Sequence, residues 1–160
     1  MAIRINLSDY EQEAFFTYLY NHLPLVSAST ICKPGKYFEN GDSWKVADVM
    51  GECLLNTWKL MKRRHNLDNF FKFPVNSLTR KPFTVLYTGK TDYLDLTTFF
   101  AHWLGLSVDF DFKMFENDTG LGREALMKAL SDNGLFQPFS NEYWHWSVTP
   151  DKIMERYGRQ

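Results

Sequence analysis

His102-Trp103-Leu104-Gly105-Leu106-Ser107-Val108-Asp109-Phe110-Asp111-Phe112 is the stretch on which the fold turns. From Leu106 to Phe112 apolar and polar residues alternate. This predicts a strand with Ser107, Asp109 and Asp111 on one face and Val108, Phe110 and Phe112 on the other. Asp109 then points away from the apolar side. Gly105 lies just ahead of the strand, where the lack of a Cβ permits a turn or a close backbone approach. A second strand is expected over Tyr143–Val148, which is rich in aromatic and β-branched residues. On it Tyr143, His145 and Ser147 face one way, and Glu142, Trp144 and Trp146 the other.

Between them these segments supply His102, Asp109 and His145, with Glu142 as a further carboxylate. Two His and one Asp can hold a divalent metal with one position open. A carboxylate outside the ligand set can take a proton from metal-bound water. That is the parts list of a zinc hydrolase. Strand alternation sets Glu142 and His145 on opposite faces, so a bulge at the start of the second strand is needed to bring both to one ion.

The pattern His-x-x-Gly-x-Ser-x-Asp followed by Glu-x-Trp-His resembles the zinc D-Ala-D-Ala peptidase family. That family comprises carboxypeptidases, dipeptidases and the L-alanyl-D-glutamate endopeptidases of phage endolysins. The resemblance covers about residues 83 to 148, including the lead-in Gly134–Phe139. It implies a zinc ion held by His102, Asp109 and His145, and Glu142 as the catalytic base. The family's Arg-bearing segment falls at Tyr87-Thr88-Gly89-Lys90, so Lys90 takes that place as a point charge and not as a bidentate fork. Phe100 stands where a Ser is common, and Ser107 where Ala is commoner. Residues 1 to 75 resemble nothing named.

The expected activity is hydrolysis in peptidoglycan stem peptides, of the D-Ala-D-Ala or L-Ala-D-Glu type, by a metal-activated water. Glu142 moves the proton, and Lys90 binds the developing oxyanion or the substrate carboxylate. The partner is peptidoglycan or its peptide precursors. Two other classes stand beside this one: a non-enzymatic binding module on the same scaffold, and an interaction protein that pairs through its aromatic surface. Taken singly, each residue also has a plainer reading. His102 is then a hydrogen-bonded core histidine, Asp109 a strand-end residue, and Trp144, His145 and Trp146 an aromatic core strand. Asp111 shares the face of Asp109 and is a rival ligand. Asp92 and Asp95 read as loop residues.

At 160 residues the chain reads as a single domain. Its hydrophobic content is 44% and its net charge −1, which excludes an argument for nucleic-acid binding from composition. Cys32 and Cys53 are too few for a disulfide framework and are expected as reduced thiols. Met1–Leu7 reads as too short and too polar for a signal peptide, and no run of eighteen apolar residues occurs, so neither a signal peptide nor a membrane span is expected. The expected setting is cytoplasmic synthesis, with action on the cell wall after release.

The expected class is α+β: a small, mostly antiparallel sheet carrying the zinc site, packed against helices, with a helical N-terminal half over residues 1–75. Ser8 and Glu11 form a capping box for a helix ending before Pro24, with Ala14, Phe15, Tyr18, Leu19 and His22 inward. Residues 25 to 42 read as loop. A helix over about Trp44–Arg64 carries the stripe Val46, Met50, Cys53, Leu54, Trp58 and Met61, and Lys62-Arg63-Arg64 at its end suit the helix dipole. Phe83–Tyr87 reads as a strand, Leu121–Ser131 as a helix, and a last helix runs from Pro150 to about Tyr157.

Overall fold

The computed structural model describes residues 14, 18–19, 22–38, 44–79 and 104–158. The strands are β1 (Leu25–Ser27), β2 (Cys32–Pro34), β3 (Lys45–Ala47), β4 (Phe73–Ser77), β5 (Ser107–Phe110), β6 (Leu135–Phe136) and β7 (His145–Val148). The helices are α1 (Asp48–His65), α2 (Phe112–Thr119), α3 (Arg123–Asp132) and α4 (Pro150–Tyr157). β1 and β3 form an antiparallel pair, and the remaining strands form a sheet in the order β2-β4-β5-β7-β6. Only β2 and β4 run parallel within that sheet.

The architecture is α+β with a mixed sheet. The sheet is antiparallel apart from the β2–β4 pair, but the expectation of a helical N-terminal half is corrected: β1 to β3 and part of β4 lie within the first 75 residues. The three-residue strands β1 and β2 occupy the stretch read as loop. They are too short to show a period, and their pairing with distant segments is what makes them strands. The expected strand over 83–87 lies outside the described residues, as does most of the first helix. Of that helix's expected inward set, Leu19 is buried, whereas Ala14, Tyr18 and His22 are exposed. Tyr18 and His22 stack on each other with ring centroids 4.8 Å apart.

Each described helix is bounded by local chemistry. α1 opens on Asp48 and closes on Lys62, Arg63, Arg64 and His65, charges that suit the dipole at both ends. Asn66 then takes a left-handed conformation and returns its N–H to the Lys62 carbonyl. Asp111 caps α2 by accepting from Met114 N, and Gly120 ends it in the left-handed region. Thr149 and Pro150 start α4. That helix is clasped to the start of α1. Arg156 pairs with Asp48 at 3.0 Å and with Glu52, and the Tyr157 hydroxyl binds Asp48 and accepts from Val49 N. Burial, with the Asp48 carboxylate beside it, pushes the Tyr157 phenol well above its ordinary range.

The core lies on one face of the sheet. Val108 pairs with Trp146, Phe110 with Val75, and Leu135 with Val148, so these side chains share that face. Phe110 meets Phe73 and Phe112 edge-on at centroid distances of 6.0 Å, which joins the sheet to α2. Phe71 meets Phe115 from the same helix at 6.1 Å. The buried side of α1 brings Met50, Cys53, Leu54 and Met61 into the cluster.

Gly105 holds the entry to β5 against β3. Its φ is +75°, and its carbonyl accepts from Ala47 N at 3.1 Å. A Cβ there would lie 2.6 Å from Ala47 N and 2.9 Å from Thr79 Oγ1. Gly105→Ala is therefore expected to lower the unfolding free energy by roughly 2 kcal/mol, from left-handed strain plus separation of the two segments. Urea titration measures it, and an unchanged midpoint would show that the segments are not held this closely.

Candidate functional site: a buried carboxylate–imidazole pair

On the opposite face β5 and β7 carry polar residues, with Phe136 of β6 beside Ser147. Ser107 and Ser147 pair across β5 and β7, and so do Asp109 and His145 one row along. The row extends to β4 through a bulge. Val75 opposes Phe110, whereas Ser77 opposes Asp109, so β4 spends one extra residue, Asn76, between them. The extra residue turns Ser77 away from the aromatic core and onto the side of Asp109. Ser77, Asp109 and His145 thus stand side by side on three adjacent strands.

His145 Nδ1 lies 2.9 Å from Asp109 Oδ1. A carboxylate only accepts, so Nδ1 carries the hydrogen, and the Asp fixes both the tautomer and the ring plane. Side-chain exposure is 7% for His145 and 14% for Asp109, so the pair sits largely out of water. Ser107 Oγ and Ser147 Oγ are 2.5 Å apart and fully buried. Phe139, half-buried, lies against the imidazole with ring centroids 5.7 Å apart at 53°.

The two sequence segments do meet: Asp109 and His145 are cross-strand neighbours. Glu142 stands apart from them. β7 begins only at His145, so Glu142 lies in the preceding turn, where its backbone carbonyl accepts from His145 N at 3.2 Å. Among the described residues no hydrogen bond joins its carboxylate to the pair. His102 and Lys90 lie outside the described residues. Asp111, the rival ligand, is a structural cap. Its Oδ1 accepts from Met114 N at 3.0 Å and its Oδ2 from Lys36 N at 2.8 Å.

Among the described residues no group of three or more His, Cys, Asp or Glu is placed to hold a metal ion. The expected zinc site and zinc cofactor are corrected accordingly, and with them the metal-activated water and Glu142 as its base.

The residues missed from sequence are Ser77, whose face is set by a bulge, and Phe139, whose position is set by a turn. The Ser107–Ser147 row was legible, since each lies two residues from a member of the pair on the same strand.

Among the described residues two clefts lie elsewhere. One of about 260 Å³ is walled by Leu67, Phe70 and Phe71, with Lys33, Lys72 and Asp118 at its rim. Its charges are engaged within the chain: Lys33 pairs with Asp118, and Lys72 Nζ donates to the Ser29 carbonyl. The other, of about 170 Å³, is the α1–α4 clasp.

Neither cysteine offers a nucleophile. Both are free and buried. Burial pushes the Cys32 thiol up to about 12, against a small lowering by Lys72, and burial likewise raises Cys53. The folded protein at pH 8 is expected to react with a thiol reagent only as fast as it opens, and to yield two thiols per chain in denaturant. A rapid stoichiometric reaction of the native protein would contradict this burial. No helix among the described residues is long and apolar enough to cross a membrane.

No protein-family model matches the chain, and neither the curated proteins nor the solved structures contain a match. The resemblance to the zinc D-Ala-D-Ala peptidases, resting on two short motifs, is therefore corrected. With it fall the zinc metallopeptidase activity, the hydrolysis of peptidoglycan stem peptides and the likeness to phage endolysins. The geometry leaves a largely buried Asp109–His145 pair on the β5–β7 strands of an α+β sheet.

Proposed function

We propose that the chain binds a small polar ligand against the β4–β5–β7 face, with His145 as its hydrogen-bonding partner. The observation that carries this reading is the Asp109–His145 hydrogen bond in a largely buried setting. Taking an ionisable pair out of water is costly, and an apolar pair of similar volume stabilises a sheet at least as well. Orientation of an imidazole by a carboxylate is, by contrast, useful to a group that must present one ring nitrogen in a defined direction.

A second reading has its own support. Ser107–Ser147, one row away, is a fully buried polar pair that joins β5 to β7. Asp109–His145 would then be another pin between the same strands, and the chain an interaction domain.

The test is histidine-selective NMR on the wild type and Asp109→Asn. Acetate, inorganic phosphate, methylammonium and methyl glucoside serve as probes for four ligand chemistries. Saturable shifts at His145 with one class, altered in Asp109→Asn, support the ligand site. No response to any class, with a stability loss in Asp109→Asn, would overturn it in favour of the pin.

A further inference from the structure

Phe70 is the most exposed large hydrophobic side chain among the described residues, at 90%. The backbone around it is nonetheless well held. Asp68 Oδ1 accepts from Phe70 N at 2.7 Å, and the Asp68 carbonyl accepts from Phe71 N at 3.3 Å. Phe71 is the anchor of this turn. Its carbonyl accepts from Trp58 Nε1 of α1 at 2.8 Å, and its buried ring meets Phe73 and Phe115 edge-on. One ring is thus fixed inward, and the same turn holds its neighbour out in water. An aromatic side chain on a backbone ordered in advance loses little freedom when it is covered, which suits it as the anchor of an interface.

The cleft of about 260 Å³ lies beside it, with Phe70 on its rim and Leu67 and Phe71 in its wall. An apolar cavity of about 150 Å³ holds a benzene molecule, so this hollow admits one benzyl side chain. Its charges come in equal numbers, Lys33 and Lys72 against Asp68 and Asp118. Such a rim does not select an occupant of one sign, such as an acidic peptide or a polyanion. It is matched by a surface with the same even mixture, and its own image across a two-fold axis is such a surface, where a cation of one copy can face a carboxylate of the other. The net charge of −1 adds little repulsion between copies. We propose that two copies of this chain associate about a two-fold axis here, each seating Phe70 in the Leu67–Phe71 cleft of the other. Knob and hollow lie side by side, so one axis fills both hollows at once. The ligand-site reading above uses none of these residues and stands or falls separately.

Two aromatic rings, each covering about 150–250 Å², and their rims fall short of the roughly 1,200 Å² or more of a long-lived dimer. The dimer is therefore expected to be reversible, with a Kd on the order of 100 µM. Sedimentation velocity of the full chain from about 10 µM to about 1 mM measures it. The wild type should pass from monomer to dimer over that range and go no further. Phe70→Ser should raise the Kd at least about tenfold, since the two-fold axis counts the substitution twice. Its urea midpoint in dilute solution should match the wild type, because the ring it removes is exposed. Tyr37→Ser, a change at another exposed ring that does not line the cleft, should leave the Kd within about twofold. Three results would overturn the proposal. One is a wild type that stays monomeric throughout, which would leave the cleft to another occupant. Another is association that Phe70→Ser does not weaken. The third is growth past the dimer, which would mean that the knob meets the hollow head-to-tail and not about a two-fold axis.

Discussion

His145→Ala is expected to lower the free energy of unfolding by about 3–5 kcal/mol, and Asp109→Ala by a similar amount, because each leaves its partner's polar group in a largely dry setting. The pairing is direct, at 2.9 Å, on strands held in register by Val108–Trp146 and Ser107–Ser147 in the two rows that follow. The double variant should lose less than the sum of the two by about 1–3 kcal/mol, since the second change removes the group that the first stranded. Urea denaturation of all four proteins closes this cycle. Additive losses would mean that the two residues are stabilised separately and that the hydrogen bond does not couple them.

Asp111→Ala should be the next most damaging change, at about 3 kcal/mol. One carboxylate here serves two backbone donors from separate parts of the chain, Met114 N at the start of α2 and Lys36 N in the turn after β2. Loss of a helix cap alone costs about 1 kcal/mol, and a hydrogen bond to a buried charged acceptor adds about 2. Asp111 is only 7% exposed, so water does not readily take its place. Asp111→Asn keeps one acceptor and turns an amide N–H toward a second donor, so its loss should fall between alanine and wild type. A loss below about 1 kcal/mol for alanine would show that the Lys36 turn finds other partners.

These two carboxylates show what was legible in the sequence and what was not. Strict alternation over Leu106–Phe110 set Asp109 and Phe110 on opposite faces, and the structure keeps them so. The same alternation was carried two residues too far. At Asp111 the chain leaves the strand and α2 begins at Phe112, because a carboxylate followed three residues later by a free N–H makes a cap. Gly105 was legible for a similar reason, since a glycine before a strand signals a backbone demand that no other residue meets. β1 and β2 were not legible: three residues carry too little pattern, and their partners β3 and β4 lie far along the chain.

The candidate site was legible as a meeting of Asp109 with His145 but not as chemistry. Two matching motifs place two residues on facing strands. They do not decide whether those residues converge on an ion or bond to each other, because that depends on side-chain direction. The turn that sets Glu142 apart and brings Phe139 to the imidazole has no periodic signature.

The bulge in β4 bears on how this chain can vary in length. Within a strand, adding or removing one residue normally exchanges the two faces for every position beyond it. Asn76 is different, because it is already a supernumerary residue: Val75 opposes Phe110 and Ser77 opposes the adjoining Asp109. A chain lacking Asn76 would still send Val75 to the apolar side and Ser77 to the polar side, in an unbroken ladder. What it would lose is the Asn76 Oδ1 contact that accepts from Tyr37 N at 3.0 Å, and with it the local bend. The middle of a sheet is usually the last place to accept a deletion, yet here it holds a position where one can be absorbed without rewriting the pattern on either side.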